Sequence, residues 1–270
     1  MQIHQAELYL LYLAGLFYAI TAVIVIVDRY MEKSNKLPVI FAVSGLLLHS
    51  LSIGVRWQRT GHGPFINLYE ILSSNVWSLF LAFTLFIILM PKHKVIAKFV
   101  LPVIAMLFIW LLVVDPKDTY LPPTYNTVWL YFHVISGKVF FSLLLLASGF
   151  AVYELLASSR TAKPHSEMNP QTGRVQLAHG FLVTAFVFDS FMLFFGAIWA
   201  QDAWGRYWAW DPLETWAFLS WLAIVFTLHL KMNLKSNRVF CGLIIACFIL
   251  AFLTFFGVPF FSTAAHKGMI

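Results

Sequence analysis

The stretch WGRYWAWDPLETW, from Trp204 to Trp216, holds four tryptophans, Tyr207, Arg206, Asp211 and Glu214 within thirteen residues. Aromatic faces at this density can stack on an extended conjugated ring and keep water from it. Arg206 offers a cation to any carboxylate that such a ring carries. A plainer account also exists, because Trp and Tyr collect at the membrane–water interface with no ligand at all. It covers the isolated Trp57, Trp110 and Trp129. It covers this connector less well, since Gly205 and Pro212 interrupt regular helix and charges are interleaved with the rings. On residue types alone, an interfacial belt and a platform for a flat ligand both stand.

The connector lies between apolar runs. Of 270 residues, 60% are hydrophobic and 11% charged, against about 25% charged for a soluble domain. A hydrocarbon core about 30 Å thick takes about 20 residues of helix. Eight segments qualify, about 8–27, 38–56, 70–90, 95–114, 129–157, 178–200, 215–231 and 239–260. The expectation is an all-α, polytopic membrane helix bundle of about eight transmembrane helices. It forms a single transmembrane domain over residues 1–270, with 201–217 as a segment outside the bilayer. The fifth segment is long enough to project and the seventh is short. MQIHQAE lacks the basic residues of a cleaved signal, so the first helix is expected to stay. Cys241 and Cys247 match neither a CxxC pair nor a metal spacing and read as small buried residues. The net charge of +6 is spread over short connectors, and no basic block points to nucleic acid.

Lys and Arg set the orientation. The connectors after the first, third, fifth and seventh segments carry three each, whereas the opposite side has Arg56, Arg59, Lys117, Arg206 and Lys267. Both termini and the tryptophan connector are therefore expected outside. His133, just inside the outer end of the fifth segment, and His266, after the outer end of the eighth, fall on the connector's side. Haem is a flat ligand with carboxylates whose iron takes imidazole axial ligands. Each histidine alone also reads as a solvated or hydrogen-bonded side chain. Lys138 and Asp189 both fall near mid-membrane, where charge is costly unless paired, and are expected to meet across the hairpin of segments five and six. GHGPFINLYE (Gly61 to Glu70) reads as a structured loop ending in a helix cap, or as a wall of the site.

WGRYWAWDPLETWAFLSWL resembles the tryptophan-rich WWD motif of the haem-handling protein superfamily. Its YWAWDPLETW form is similar to the CcsA/ResC type of cytochrome c biogenesis protein of system II. RWQRTGHGPFINLYEIL (Arg56 to Leu72), VWLYFHV with His133, LAIVFTLHLK with His229 and FFGVPFFSTAAHKG with His266 resemble further stretches of that family. The likeness runs from about residue 38 to the C-terminus.

The resemblance implies a haem-binding subunit of a cytochrome c synthase, a haem lyase. Haem b would be both ligand and substrate, attached through thioethers to the CxxCH motif of apocytochrome c on the extracytoplasmic face. It implies His133 and His266 as outer iron ligands and His229 as an inner one, with Trp204, Trp208, Trp210, Asp211 and Trp216 around the ring and Arg206 on a propionate. The implied partners are a CcsB/ResB-type membrane subunit, apocytochrome c, membrane lipid and, indirectly, a thioredoxin-like thiol reductant. The implied location is the bacterial cytoplasmic membrane, with the thylakoid membrane as the alternative. No catalytic group of the chain's own is called for beyond positioning by His133 and His266. His49 reads as a relay or a bonded core histidine, and His179 competes as partner for His229. Other classes remain: a haem transporter or chaperone without ligation, a di-haem electron-transfer cytochrome, or a solute permease with an aromatic belt.

Overall fold

The computed structural model describes residues 2–27, 36–158, 170–234 and 236–261. It is all-helical, with no strand among the described residues. Eight helices are long and apolar enough to cross a membrane. They are α1 (Gln2–Val27), α2 (Leu37–Thr60), α3 (Leu68–Leu89), α4 (Ala97–Val113, extended by a 3-10 turn over Pro91–Ile96), α5 (Val128–Ser158), α6 (Pro170–Trp204), α7 (Pro212–Asn233) and α8 (Asn237–Phe256). A short α9 (Val258–Phe261) follows.

The chain divides into two compact units, residues 1–121 and 122–270. In the first, α1 packs on α2 and α4, and α3 packs on α2 and α4. In the second, α5 and α6 form an extensive antiparallel pair, α8 packs on α5 and α7, and α7 returns along α6.

Hydropathy located these helices but not their ends. Those are set by capping chemistry in the connectors. α2 runs on to Thr60 and stops at Gly61, whose left-handed φ of 78° turns its N–H back to the Trp57 carbonyl. Asn67 caps α3 by accepting the Glu70 N–H at 2.9 Å. α6 reaches Trp204, four residues past the apolar run, and ends at Gly205, φ 78°, whose N–H returns to Gln201. α7 begins three residues earlier than its apolar run, at Pro212, with Asp211 as its cap.

The expected Lys138–Asp189 pair does not form. Asp189 is fully buried, yet neither carboxylate oxygen has a hydrogen-bond partner among the described residues, and no ion pair joins it to Lys138. Counting along helices ignores the direction in which a side chain leaves the helix. The α5–α6 seam runs through Gly137, whose added Cβ would lie 3.0 Å from Met192 Sδ. Lys138, one residue on, is turned about 100° away from that seam.

Candidate functional site

The second unit carries a cleft at the Trp204 end of α6. It encloses about 80 Å³ open to water-sized molecules, well short of the about 300–1,000 Å³ usual for small-molecule sites. One wall is α6, with Met192, Gly196 and Trp199. His133 of α5 stands behind it, and Tyr207, Trp208 and Glu214 close the opposite side from the connector and α7.

His133 is held by three features. Its Nδ1 lies 2.8 Å from the Met192 carbonyl oxygen. A carbonyl only accepts, so Nδ1 carries the hydrogen and Nε2 is the ring's acceptor nitrogen. The imidazole reaches this helical carbonyl because residue 196 is glycine. A Cβ there would lie 2.7 Å from Nδ1 and 2.9 Å from Cε1. The ring also lies parallel to Trp199, at 11° with centroids 6.2 Å apart. Trp199 is itself fixed, 2% exposed, donating from Nε1 to the Tyr125 carbonyl at 3.0 Å. Trp199 carries no signal in residue type or spacing that marks it as part of a site. It lies inside an apolar run five residues before Trp204, where a tryptophan reads as interfacial.

The candidates of the connector divide. Trp208 lines the cleft, and its Nε1 is buried with no hydrogen-bond partner among the described residues. Trp204 packs edge-on against Trp199, centroids 4.9 Å apart at 77°, and against Tyr125 at 6.0 Å. It thus backs the wall without lining the cleft. Trp210 is 68% exposed with φ 56°, and its ring stands edge-on to Trp208 at 5.7 Å. Arg206 is exposed and does not line the cleft. Asp211 is buried and caps α7, its Oδ1 accepting the Glu214 N–H at 2.9 Å. Trp216 is partly exposed on α7, its carbonyl accepting from Ser220 Oγ at 3.0 Å. Glu214, which the sequence reading left as one of several charges, does line the cleft.

His229 is not brought to this cleft. It lies near the far end of α7, about 26 Å from Pro212 at about 1.5 Å per residue. It is exposed, and its Nδ1 meets the Val225 carbonyl at 2.9 Å, so its Nε2 is likewise the acceptor nitrogen. His179 rests against Phe240, centroids 5.9 Å apart, with the Lys231 ammonium 4.7 Å from the same ring. His49 is a bonded core histidine, between Tyr18 Oη at 3.2 Å and Ser73 Oγ at 3.0 Å. His266 lies outside the described residues. Among the described residues, no group of three or more His, Cys, Asp or Glu side chains is arranged to hold a metal ion.

The first unit has its own polar cluster. Arg56 donates from Nε to Glu70 at 2.8 Å, from Nη1 to Glu7 at 3.0 Å, and from Nη2 to the Lys117 carbonyl at 2.6 Å. Arg59 bonds Glu7 and Asp118. The Arg59 guanidinium holds the Asp118 carboxyl below its ordinary value of 3.8. His62 is buried with its ring nitrogens 3.0 and 2.9 Å from the Gly63 and Thr119 carbonyl oxygens. GHGPFINLYE is therefore a bonded loop ending in a helix cap.

The family model described as "Cytochrome C assembly protein" matches residues 65–266. This chain belongs to the cytochrome C assembly protein family. It is of the CcsA type, a multi-pass membrane protein. The assembly-family chain is 31% identical over 211 residues to a cytochrome c biogenesis protein CcsA of Chlamydomonas reinhardtii, covering 74% of this chain and 59% of that one. It is 29% identical over 246 residues to Protein NrfI of Wolinella succinogenes, covering 87% of this chain but 26% of that protein. A CcsA of Prochlorococcus marinus is 26% identical over 288 residues, covering 93% and 89%. Against the first two, the chain thus spans little more than half, and about a quarter, of the relative's length. The matched region contains the whole cleft.

Proposed function

We propose that this chain takes part in cytochrome c biogenesis as the haem-handling subunit of a synthase, with haem as its substrate. His133 Nε2 serves as one axial ligand in the cleft of the second unit. The observation that carries this reading is the His133–Met192 hydrogen bond, which fixes the tautomer whose Nε2 can bind iron. The chemistry of the lining agrees. Trp199, Tyr207 and Trp208 offer aromatic surface to a porphyrin, and the buried Trp208 Nε1 has no acceptor among the described residues.

His266 supplies the second outer ligand, and His229 belongs to a separate inner site, on haem's way out. Trp204, Trp210 and Trp216 frame the connector, and Arg206 pairs with a propionate outside the cleft lining. Both termini and the connector lie on the extracytoplasmic side. The partners are a CcsB/ResB-type subunit and an apocytochrome c.

The chain's contribution is placement. A thiol of the CxxCH motif adds across a haem vinyl group. Its sulfur bonds to one vinyl carbon, the double bond opens, and a proton goes to the other carbon. The nucleophile belongs to the apocytochrome, so the protein has to hold haem at a fixed height and orientation. Good alignment of two reactants lowers a barrier by about 7–11 kcal/mol.

The test is the optical spectrum of the purified chain beside His133→Ala, His266→Ala and His229→Ala. The first two should each shift or lose the signature of the outer haem, and the third should leave it in place. A His133→Ala variant with an unchanged spectrum overturns the ligand assignment. Thioether-linked cytochrome c in cells carrying this chain and its partner, lost with His133→Ala, separates a synthase from a carrier of haem.

A further inference from the structure

Glu214 departs from the ordinary capping pattern. In a capping box, the acid three residues after the cap reaches back to the cap residue's own amide. Here the cap is Asp211, and the Glu214 N–H does donate to it at 2.9 Å. The Glu214 carboxylate, however, passes over the Asp211 amide. Its Oε2 accepts the N–H of Ala209, two residues before the cap, at 2.7 Å. That bond satisfies no amide of α7. It ties the connector's backbone to the helix that follows.

The two bonds close a small ring of chain from Ala209 to Glu214. Inside it stands Trp210 at φ 56°, the one non-glycine residue with positive φ among the described residues. Bulky side chains rarely adopt that conformation, so something must hold it, and the Ala209–Glu214 bond is positioned to do so. Immediately before Ala209 is Trp208, which lines the cleft and meets Trp210 edge-on. Asp211 already caps α7 by accepting the Glu214 N–H, with Pro212 at the first helical position. The reach of Glu214 is explained by the tryptophans.

We infer that Glu214 is a positioning residue for the cleft: by holding the Ala209 amide it keeps Trp210 left-handed and Trp208 against the space that His133 lines. It acts through the backbone and need not touch the substrate. The effect on haem rests on the reading above, whereas the effect on the connector does not.

Two variants of the full chain in detergent test this. Glu214→Gln keeps an acceptor oxygen at the same reach, and Glu214→Ala removes it. Both leave the backbone N–H that Asp211 caps, so α7 should still form. Two quantities are read, hydrogen exchange at the Ala209 amide and the affinity for added hemin followed in the Soret band. Glu214→Ala should speed Ala209 exchange by about tenfold, as loss of a charge-assisted bond implies, and should weaken hemin binding. Glu214→Gln should restore most of both. Unchanged Ala209 exchange in Glu214→Ala overturns the inference, as does faster exchange with hemin binding intact. A Gln variant as impaired as the Ala variant also overturns it, since charge rather than acceptance would then be what matters. If the wild-type chain takes no hemin, the haem reading fails, while Ala209 exchange still decides whether Glu214 holds the connector.

Discussion

The first unit clusters Glu7, Arg59, Glu70 and Asp118 about Arg56, and the second surrounds its cleft with rings. Around Arg56, the donors of the guanidinium fork meet carboxylates and carbonyls, and His62 and Asn67 are likewise bonded. At the cleft, the buried Trp208 N–H has no acceptor among the described residues and a glycine makes room for an imidazole, while in the connector beside it Trp210 sits at a rarely adopted φ. The cluster around Arg56 bonds most of its donors to itself, although Arg59 Nε and His4 Nδ1 have no hydrogen-bond partner among the described residues, and so it acts chiefly as a clasp with little to offer a ligand. Residual strain and an orphaned donor are what a region keeps when its contacts are to be completed by something else.

If that contrast is right, the two regions should fail differently. Arg56→Ala leaves Glu7 and Glu70, each 1% exposed, without their shared cation. The expected loss is about 3–5 kcal/mol of stability, read as a large drop in the thermal midpoint of the purified protein. An Arg56→Ala protein as stable as wild type would dissolve the distinction. Gly196→Ala should act the other way round, mildly on stability and strongly on the cleft. The new Cβ, 2.7 Å from His133 Nδ1, forces the ring off Met192 at about 1–3 kcal/mol. Hemin titration should then show binding weakened while the fold persists.

The smallest effect is the pH response of the clasp's exposed edge. Arg59 depresses the Asp118 carboxyl below 3.8, so the folded state binds that proton less readily than the unfolded chain. Its contribution is complete above that value and is lost as pH falls through the folded value. Asp118→Asn should therefore flatten the acid limb of a stability–pH curve and leave neutral pH untouched. Asp118 is 59% exposed, and solvent screening keeps the change small.

The sequence made the helices and the connector legible because each depends on local signals. Apolar runs of membrane length mark α1 to α8, and Asp211-Pro212 marks where α7 begins. His133 was legible by its place at one end of its segment. What holds it was not, since Met192 contributes a backbone carbonyl and Gly196 contributes the absence of a side chain. Neither leaves a mark in residue type. Asp189 shows what counting along a helix leaves out. Pairing with Lys138 requires the two helix faces to turn toward each other, and Lys138 is offset by one residue from the Gly137 seam.

The passage from α6 to α7 is brief: Gly205 to Asp211, closed at one end by a left-handed glycine and near the other by a left-handed tryptophan. Such a strap has no slack to absorb a change in length. Removing one residue would have to be met by rotating α7 through about 100°, swinging Leu213, Glu214 and Ala217 away from the space they now border. Indels should be far less tolerable here than substitutions, and the number of residues in the strap is as much a part of the site as their identity.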